Sequence, residues 1–301
     1  MGGEQKDVPA TLVSRIERIM DRIEGLVGTT GEGGNGDVFS SAVAFRWSRR
    51  HARGRLEPIF HPDQVDLGDL MGLDHDIKTL TRNTLQFIRG LPANNVLVWG
   101  ERGSGKSSVV KGLLTRFSAD GLRMIELQKY DLEDLPAILD LVWGRPERFI
   151  LFCDDLSFDE NESSYRELKA LLEGGLASRP DNVLIYATSN RRHLMPTRFS
   201  DNTPRFSPDD DEIHPQESIE EKVSLSDRFG LSIGFYRIDQ ETYFRIVDHW
   251  IARHGLQVDP ERVRREAVVW LQRSSGRSGR VARQFVDDLI GRVLLEGASL
   301  F

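Results

Sequence analysis

The sequence predicts an α/β protein, with a parallel-sheet phosphate-loop core, a C-terminal helical lid and an N-terminal helical extension. Three observations carry that prediction. The stretch Gly100-Glu101-Arg102-Gly103-Ser104-Gly105-Lys106-Ser107 fills the template G-x-x-x-x-G-K-[ST] without a mismatch, between the apolar run Asn95–Trp99 and the helical run Ser108–Phe117. From Leu67 to about Ile238, short apolar runs alternate with helical patterns, the signature of a parallel sheet with crossover helices. From Gln240 to Leu295 the pattern is purely helical.

Taken in order, Pro9 to Val27 carries Leu12, Val13, Ile16, Ile19, Met20, Ile23 and Val27 at helical spacing, which predicts an amphipathic helix. A Gly-rich break over 29–37 reads as a linker or exposed loop. Val38 to about Asp66 is expected to lead into the main domain and holds Arg46, Arg49, Arg50, His51, Arg53 and Arg55. Strands are expected near Val96–Trp99, Arg123–Leu127, Phe149–Cys153, Val183–Ala187 and Leu231–Phe235. In the tail, Tyr243, Phe244, Val247, Trp250 and Ile251 form one helical stripe, and Val281, Phe285, Leu289, Val293 and Leu294 form another. Val263–Leu271 lies between them, and the three segments read as the core of a small lid. The resulting division is 1–66, 67–238 and 239–301.

Composition narrows the function classes. With 301 residues and 39% hydrophobic content, the chain can bury a full core. No apolar run approaches the roughly 20 residues needed to span a bilayer, and the polar N-terminus lacks a secretory apolar region. The lone Cys153, inside an apolar strand, fits a small core residue in a reducing cytosol. A cytoplasmic protein with no membrane partner is expected. The net charge of −7 argues against a surface-wide nucleic-acid footprint, and the arginine cluster reads more simply as a solvated face or an intersubunit contact.

The chemistry-bearing residues follow from the strand ends. Glycines in the phosphate loop let backbone N–H groups turn inward on phosphate oxygens, and the following helix N-terminus adds its partial positive charge. Gly100 to Lys106, with Ser107 and Ser108 opening the helix, would hold a nucleoside triphosphate. Lys106 would reach the β- and γ-phosphates, and the Ser107 hydroxyl would complete a Mg²⁺ shell. The run Phe149-Ile150-Leu151-Phe152-Cys153 ends in Asp154 and Asp155. At the carboxyl end of a buried strand, Asp154 would hold Mg²⁺, and Asp155 would orient or deprotonate the attacking water. A third strand ends in Asn190, placed to touch a γ-phosphate or water. Arg228, within Ser226-Asp227-Arg228-Phe229-Gly230, could donate to the nucleotide of a neighbouring subunit. Arg280, flanked one turn away by Arg277 and Arg283, could fold down over the phosphates from the lid. The acidic insert Ser200–Ser224, with His193 and His214 near its ends, reads as a disordered or bridging loop rather than a metal site.

In this order, these segments resemble the AAA+ ATPases. The resemblance implies that Gly100–Ser107 is Walker A, Asp154–Asp155 Walker B, Asn190 sensor 1, Arg228 the arginine finger and Arg280 sensor 2. Leu70-Met71-Gly72-Leu73-Asp74 resembles the segment packed near the adenine. One departure is the Asp at 155, where most AAA+ proteins carry Glu; the shorter side chain implies slow hydrolysis. At finer grain, Pro92-Ala93-Asn94-Asn95, Cys153–Phe158, Ala187–Leu194 and Glu212-Ile213-His214 through Gly230 resemble the bacterial AAA+ family called domain of unknown function 815. Ala44-Phe45-Arg46-Trp47 adds to that likeness. The resemblance implies an ATP- and Mg²⁺-dependent ATPase forming a homo-oligomeric ring that remodels or regulates a protein partner. The alternative is a nucleotide-gated loader or switch acting with nucleic acid, and a monomeric phosphate-loop kinase would leave Arg228 and the helical tail unexplained.

Overall fold

The computed structural model describes residues 35–50, 53–158, 164–173, 179–192, 194, 225–274 and 276–296. The expected helix Pro9–Val27, the insert Ser200–Ser224, His193 and His214 lie outside the described residues. The chain divides into two compact units, Met1–Ser41 and Ala42–Phe301. In the first, the described element is the short helix α1 (Asn35–Ser41).

The second unit is built on a sheet that has seven strands among the described residues. They are β1 (Ala44–Arg50), β2 (Arg53–Ile59), β3 (Val96–Gly100), β4 (Leu122–Leu127), β5 (Arg148–Cys153), β6 (Val183–Ser189) and β7 (Leu231–Phe235), in the spatial order β2-β1-β4-β5-β6-β3-β7. All neighbours pair in parallel except β1 and β2, an antiparallel hairpin. Central strands read as continuous apolar runs because both faces are covered, and every residue of β6 is buried. Five strands match the sequence expectation. The other two come from the arginine-rich segment, expected only as a lead-in.

That hairpin was hidden because its arginines interrupt the apolar signal. Phe45 and Trp47 point to the buried side at strand spacing, while Arg46 and Arg49 are paired within the chain. Arg46 binds Glu126 at 2.7 Å, and Arg49 binds Asp134 at 2.6 Å and Glu133 at 3.1 Å. The Trp47 indole also donates to Asp134 at 2.9 Å. Arg55 pairs with Glu57 across two positions of the same strand. Intramolecular neutralisation therefore accounts for Arg46, Arg49 and Arg55.

Helices α2 (Asp74–Ile88) and α3 (Lys106–Phe117) contribute Leu80, Phe87, Val109, Leu113 and Phe117 to one core cluster with Val96, Ile150, Leu184 and Ile233 of the strands. A buried polar knot fixes α2 on the sheet. Asn83 donates to the Tyr186 hydroxyl at 3.0 Å, Thr84 shares a bond of 2.8 Å with the same hydroxyl, and Asn83 grips both backbone groups of Asn94. Two shorter helices, α4 (Leu135–Val142) and α5 (Ser164–Glu173), flank β5 in sequence. The tail forms α6 (Gln240–Arg253), α7 (Pro260–Gln272) and α8 (Gly279–Glu296), with Asp239 and Asp259 as N-caps of the first two. Tyr243, Val247, Val263, Ala267, Phe285 and Leu289 make its own core, as the aromatic stripes predicted. Among the described residues, no helix is long and apolar enough to cross a membrane.

Candidate functional site

The sheet order decides which loops can meet. β3 lies beside β6, and β6 beside β5, so the segments leaving their carboxyl ends emerge side by side. The register pairs Trp99 with Ser189 and Cys153 with Ala187, which brings the phosphate loop, Asn190 and the two aspartates to one edge. A cleft of about 1070 Å³ opens there, lined by 102–108, Asp154, Asp155, Thr188 and Asn190 on the sheet side. Leu70, Met71 and Leu73 line it from the segment before α2, and Trp250, Arg280 and Arg283 from the lid.

Local backbone geometry shapes the phosphate loop. Gly100 ends β3 at φ +139°, where a Cβ would lie 1.9 Å from the Phe235 carbonyl oxygen, so only glycine fits. Gly105 takes the N-cap of α3 in the left-handed region at φ 102° and has no side-chain cap, leaving the first-turn amides of the helix to an external acceptor. The Ser104 hydroxyl is buried in the loop without a hydrogen-bond partner. An uncapped helix start, an orphaned hydroxyl and a buried cation form a donor set suited to a phosphate chain.

Two short hydrogen-bond relays join the motif residues. In the first, the Lys106 ammonium donates to the carbonyls of Gly100 (2.9 Å) and Glu101 (2.7 Å) and to Asn190 Oδ1 (3.0 Å). Asn190 in turn donates its amide to the Asp155 carboxylate. In the second, the Ser107 hydroxyl donates to Asp154 Oδ1 at 2.6 Å, and the Thr188 hydroxyl donates to the same oxygen. Thr188 also accepts from the Asp155 backbone N–H at 2.9 Å, so one buried hydroxyl braces both aspartates. Asp155 sits at φ 52°, in the left-handed region that Asp tolerates better than most side chains. Burial lowers the Lys106 ammonium from its ordinary value of 10.5, opposed by the fields of Asp155 and Asp154 and reinforced by Arg280 and Arg102. Ser107 and Asp154 together offer hydroxyl and carboxylate oxygens, the hard donors that Mg²⁺ takes.

The arginines separate by position. Arg280 lines the cleft, and its backbone N–H reaches the Gly103 carbonyl at 3.4 Å, placing the start of α8 against the phosphate loop. Arg283 also lines the cleft, but its guanidinium lies 3.9 Å from the Trp250 ring centroid and pairs with Asp287 at 2.9 Å. Arg277 is not among the cleft residues. Arg228 is also absent from the cleft lining. It borders a separate hollow with Asn94, Asn95, Arg179 and Gly230, and forms an ion pair with Glu173. Nor do Gly100 and Glu101 line the cleft, although their carbonyls hold Lys106.

Thr188 was missed in the sequence because a hydroxyl two positions before Asn190 looks like ordinary strand-end chemistry. The available signal was a polar residue closing an otherwise apolar strand, at the edge where the aspartates emerge.

An α/β sheet in this order, with the phosphate loop after β3, paired acids after β5, Asn190 after β6 and a helical lid, defines the AAA+ P-loop fold. Comparison with known proteins agrees. The profile of the family described as "Protein of unknown function (DUF815)" matches residues 40–293, and the chain belongs to that family. A point variant of RuvB from Thermotoga maritima is similar in structure, with a TM-score of 0.53, 14% identity, and 77% of this chain and 67% of that one covered. A structure of the same organism's RuvB described as a Holliday junction branch migration motor gives a TM-score of 0.43 at 14% identity, covering 74% of this chain and 72% of that one. At 14% identity the first of these likenesses speaks to the fold alone. No curated protein matches the sequence.

Proposed function

We propose that the chain is a Mg²⁺-dependent ATPase whose site is completed by a second copy of itself and whose turnover remodels or regulates a protein partner. The observation that carries the reading is the joining of Lys106, Asn190 and Asp155 in one relay beside Ser107, Asp154 and Thr188 in another. Lys106 is desolvated and held at the loop by carbonyls, so a phosphate chain can take over its donors with little rearrangement. Ser104, Gly105, Ser107 and Ser108 surround the same point, and Ser107 with Asp154 would hold Mg²⁺. When bound, that ion supplies neutralisation of the developing phosphoryl charge. Asp155 orients the attacking water. Its short side chain, tied to Asn190, supports slow turnover. Arg280 approaches the phosphates from the lid.

Arg228 lies outside its own chain's cleft, so a role on nucleotide requires a neighbouring subunit. Such a heterologous contact closes into a ring when the rotation allows. The divisions at residues 66 and 238 remain our functional partition, with 44–59 lending two strands to the second part. The buried lone Cys153 suits a reducing cytoplasm. The nucleic-acid alternative is weakened at Arg46, Arg49 and Arg55, which are engaged by acids of the same chain. Solution mass by light scattering with ATP, ADP and no nucleotide tests the reading. ATP-driven growth to a defined oligomer is expected; a monomer in every state, hydrolysing ATP unaided, would overturn it.

A further inference from the structure

We propose that Glu173 holds Arg228 in reserve, a restraint that assembly must break before hydrolysis. The proposal rests on the reading of Arg228 as a residue acting on a neighbouring subunit's nucleotide. Its basis is the contrast between a fixed backbone and a side chain committed elsewhere.

The base of Arg228 is pinned on every side. Leu225, Ser226 and Phe229 are buried. The Ser226 hydroxyl accepts from the Leu194 N–H at 3.3 Å, and the Phe229 N–H returns to the Ser226 carbonyl at 3.3 Å. Gly230 abuts Asn94, where a Cβ would come within 2.4 Å of the side-chain oxygen, and Leu231 N–H bonds the Asn95 carbonyl at 3.1 Å. Displacing this turn would break buried packing and three hydrogen bonds. The guanidinium can move by its own torsions alone, so its direction is set by whichever partner it finds.

Within the chain Glu173 is one such partner. Glu173 is the last residue of α5, where the helix presents carbonyls and its negative end, and α5 has no basic residue in its last turn. A carboxylate there is disfavoured by the helix dipole unless a cation answers it, and Arg228 is that cation. The nearby Arg179 is occupied differently, donating to the Asn95 side chain at 2.5 Å. The pair is part exposed, with 24% of the Arg228 and 43% of the Glu173 side chain accessible, so it is weak enough to exchange for a triphosphate. Glu173 is thus a positioning residue that raises the protein concentration at which shared sites become productive.

The test measures specific ATPase activity against protein concentration for wild type, Glu173→Gln, Arg228→Ala and the double variant. Glutamine keeps the shape and removes the charge. The expected result is half-maximal activity at about two- to five-fold lower concentration for Glu173→Gln, matching the worth of one part-exposed ion pair, with little change in the plateau. In the Arg228→Ala background the same substitution should change nothing. Glu173→Gln with an unchanged or higher half-maximal concentration, beside an inactive Arg228→Ala, would overturn the restraint and leave the shared-site reading standing. Arg228→Ala with full activity would overturn both. Thermal melting of each variant separates these outcomes from loss of fold.

Discussion

Thr188→Val offers the sharpest test of how the paired aspartates are held. Valine keeps the branched shape, so packing in β6 is preserved while the hydroxyl is lost. Two bonds go with it, one donated to the Asp154 carboxylate and one accepted from the Asp155 N–H at 2.9 Å. A hydrogen bond to a charged group is worth about 1.5–3 kcal/mol and a neutral one about 0.5–1.5 kcal/mol. Both aspartates are exposed, so water replaces part of the loss, and about 2 kcal/mol is the reasonable net figure. That corresponds to roughly 30-fold in the population of the aligned arrangement, within the 10–100-fold range expected when a partner of a metal ligand is removed. The assay is a Mg²⁺ titration of ATPase activity at saturating ATP. Half-activation should move to roughly 30-fold higher Mg²⁺ in Thr188→Val, while Thr188→Ser, which retains the hydroxyl, stays near wild type. If the valine variant keeps the wild-type Mg²⁺ requirement, the bracing role assigned to Thr188 is refuted.

Other expectations follow from the same geometry. Lys106→Ala should reduce ATP affinity beyond detection in equilibrium binding, since it removes the buried cation at the loop; retained affinity would place the nucleotide elsewhere. Asp155→Asn should bind ATP and stall, read as an oligomer that persists with ATP and releases little phosphate, whereas undiminished turnover would move the water-orienting role to another group. Gly100→Ala should prevent soluble expression or lower the melting temperature sharply, because its Cβ would collide with the Phe235 carbonyl at 1.9 Å. The ammonium of Lys106 is depressed by burial below its ordinary 10.5, and a bound phosphate chain favours the charged form. ATP affinity should therefore fall as pH rises through that depressed value, below 10.5, and the fall should vanish in Lys106→Arg. A flat profile for wild type would contradict the placement of Lys106 on phosphate.

The phosphate loop, the acids after β5 and the helical lid were legible in the sequence because each is a local pattern. A glycine spacing, a continuous apolar strand with its terminal charges, and a 3.6-residue stripe can each be read without knowing what lies across the fold. The hairpin of β1 and β2 was not, since Arg46 and Arg49 look like a solvated cluster until Glu126, Glu133 and Asp134 are brought alongside by the topology. Thr188 and Glu173 were invisible for the same reason. Their importance lies in contacts with Asp154, 34 positions away, and with Arg228, which no periodicity encodes. The arginine at 280 was separable from its neighbours only once Arg283 was found stacked on Trp250. Asp155 adds a backbone feature, its left-handed φ, that composition does not announce.

The most direct test of a site shared between subunits is complementation by mixing. Lys106→Ala lacks a working phosphate loop but carries Arg228; Arg228→Ala carries the loop but lacks the arginine. Each alone should be inactive. In an equal mixture about a quarter of the interfaces combine an intact loop with an intact arginine from the neighbour, so a comparable fraction of wild-type ATPase should return. A mixture as inert as its parts, or an Arg228→Ala protein active by itself, would contradict the account.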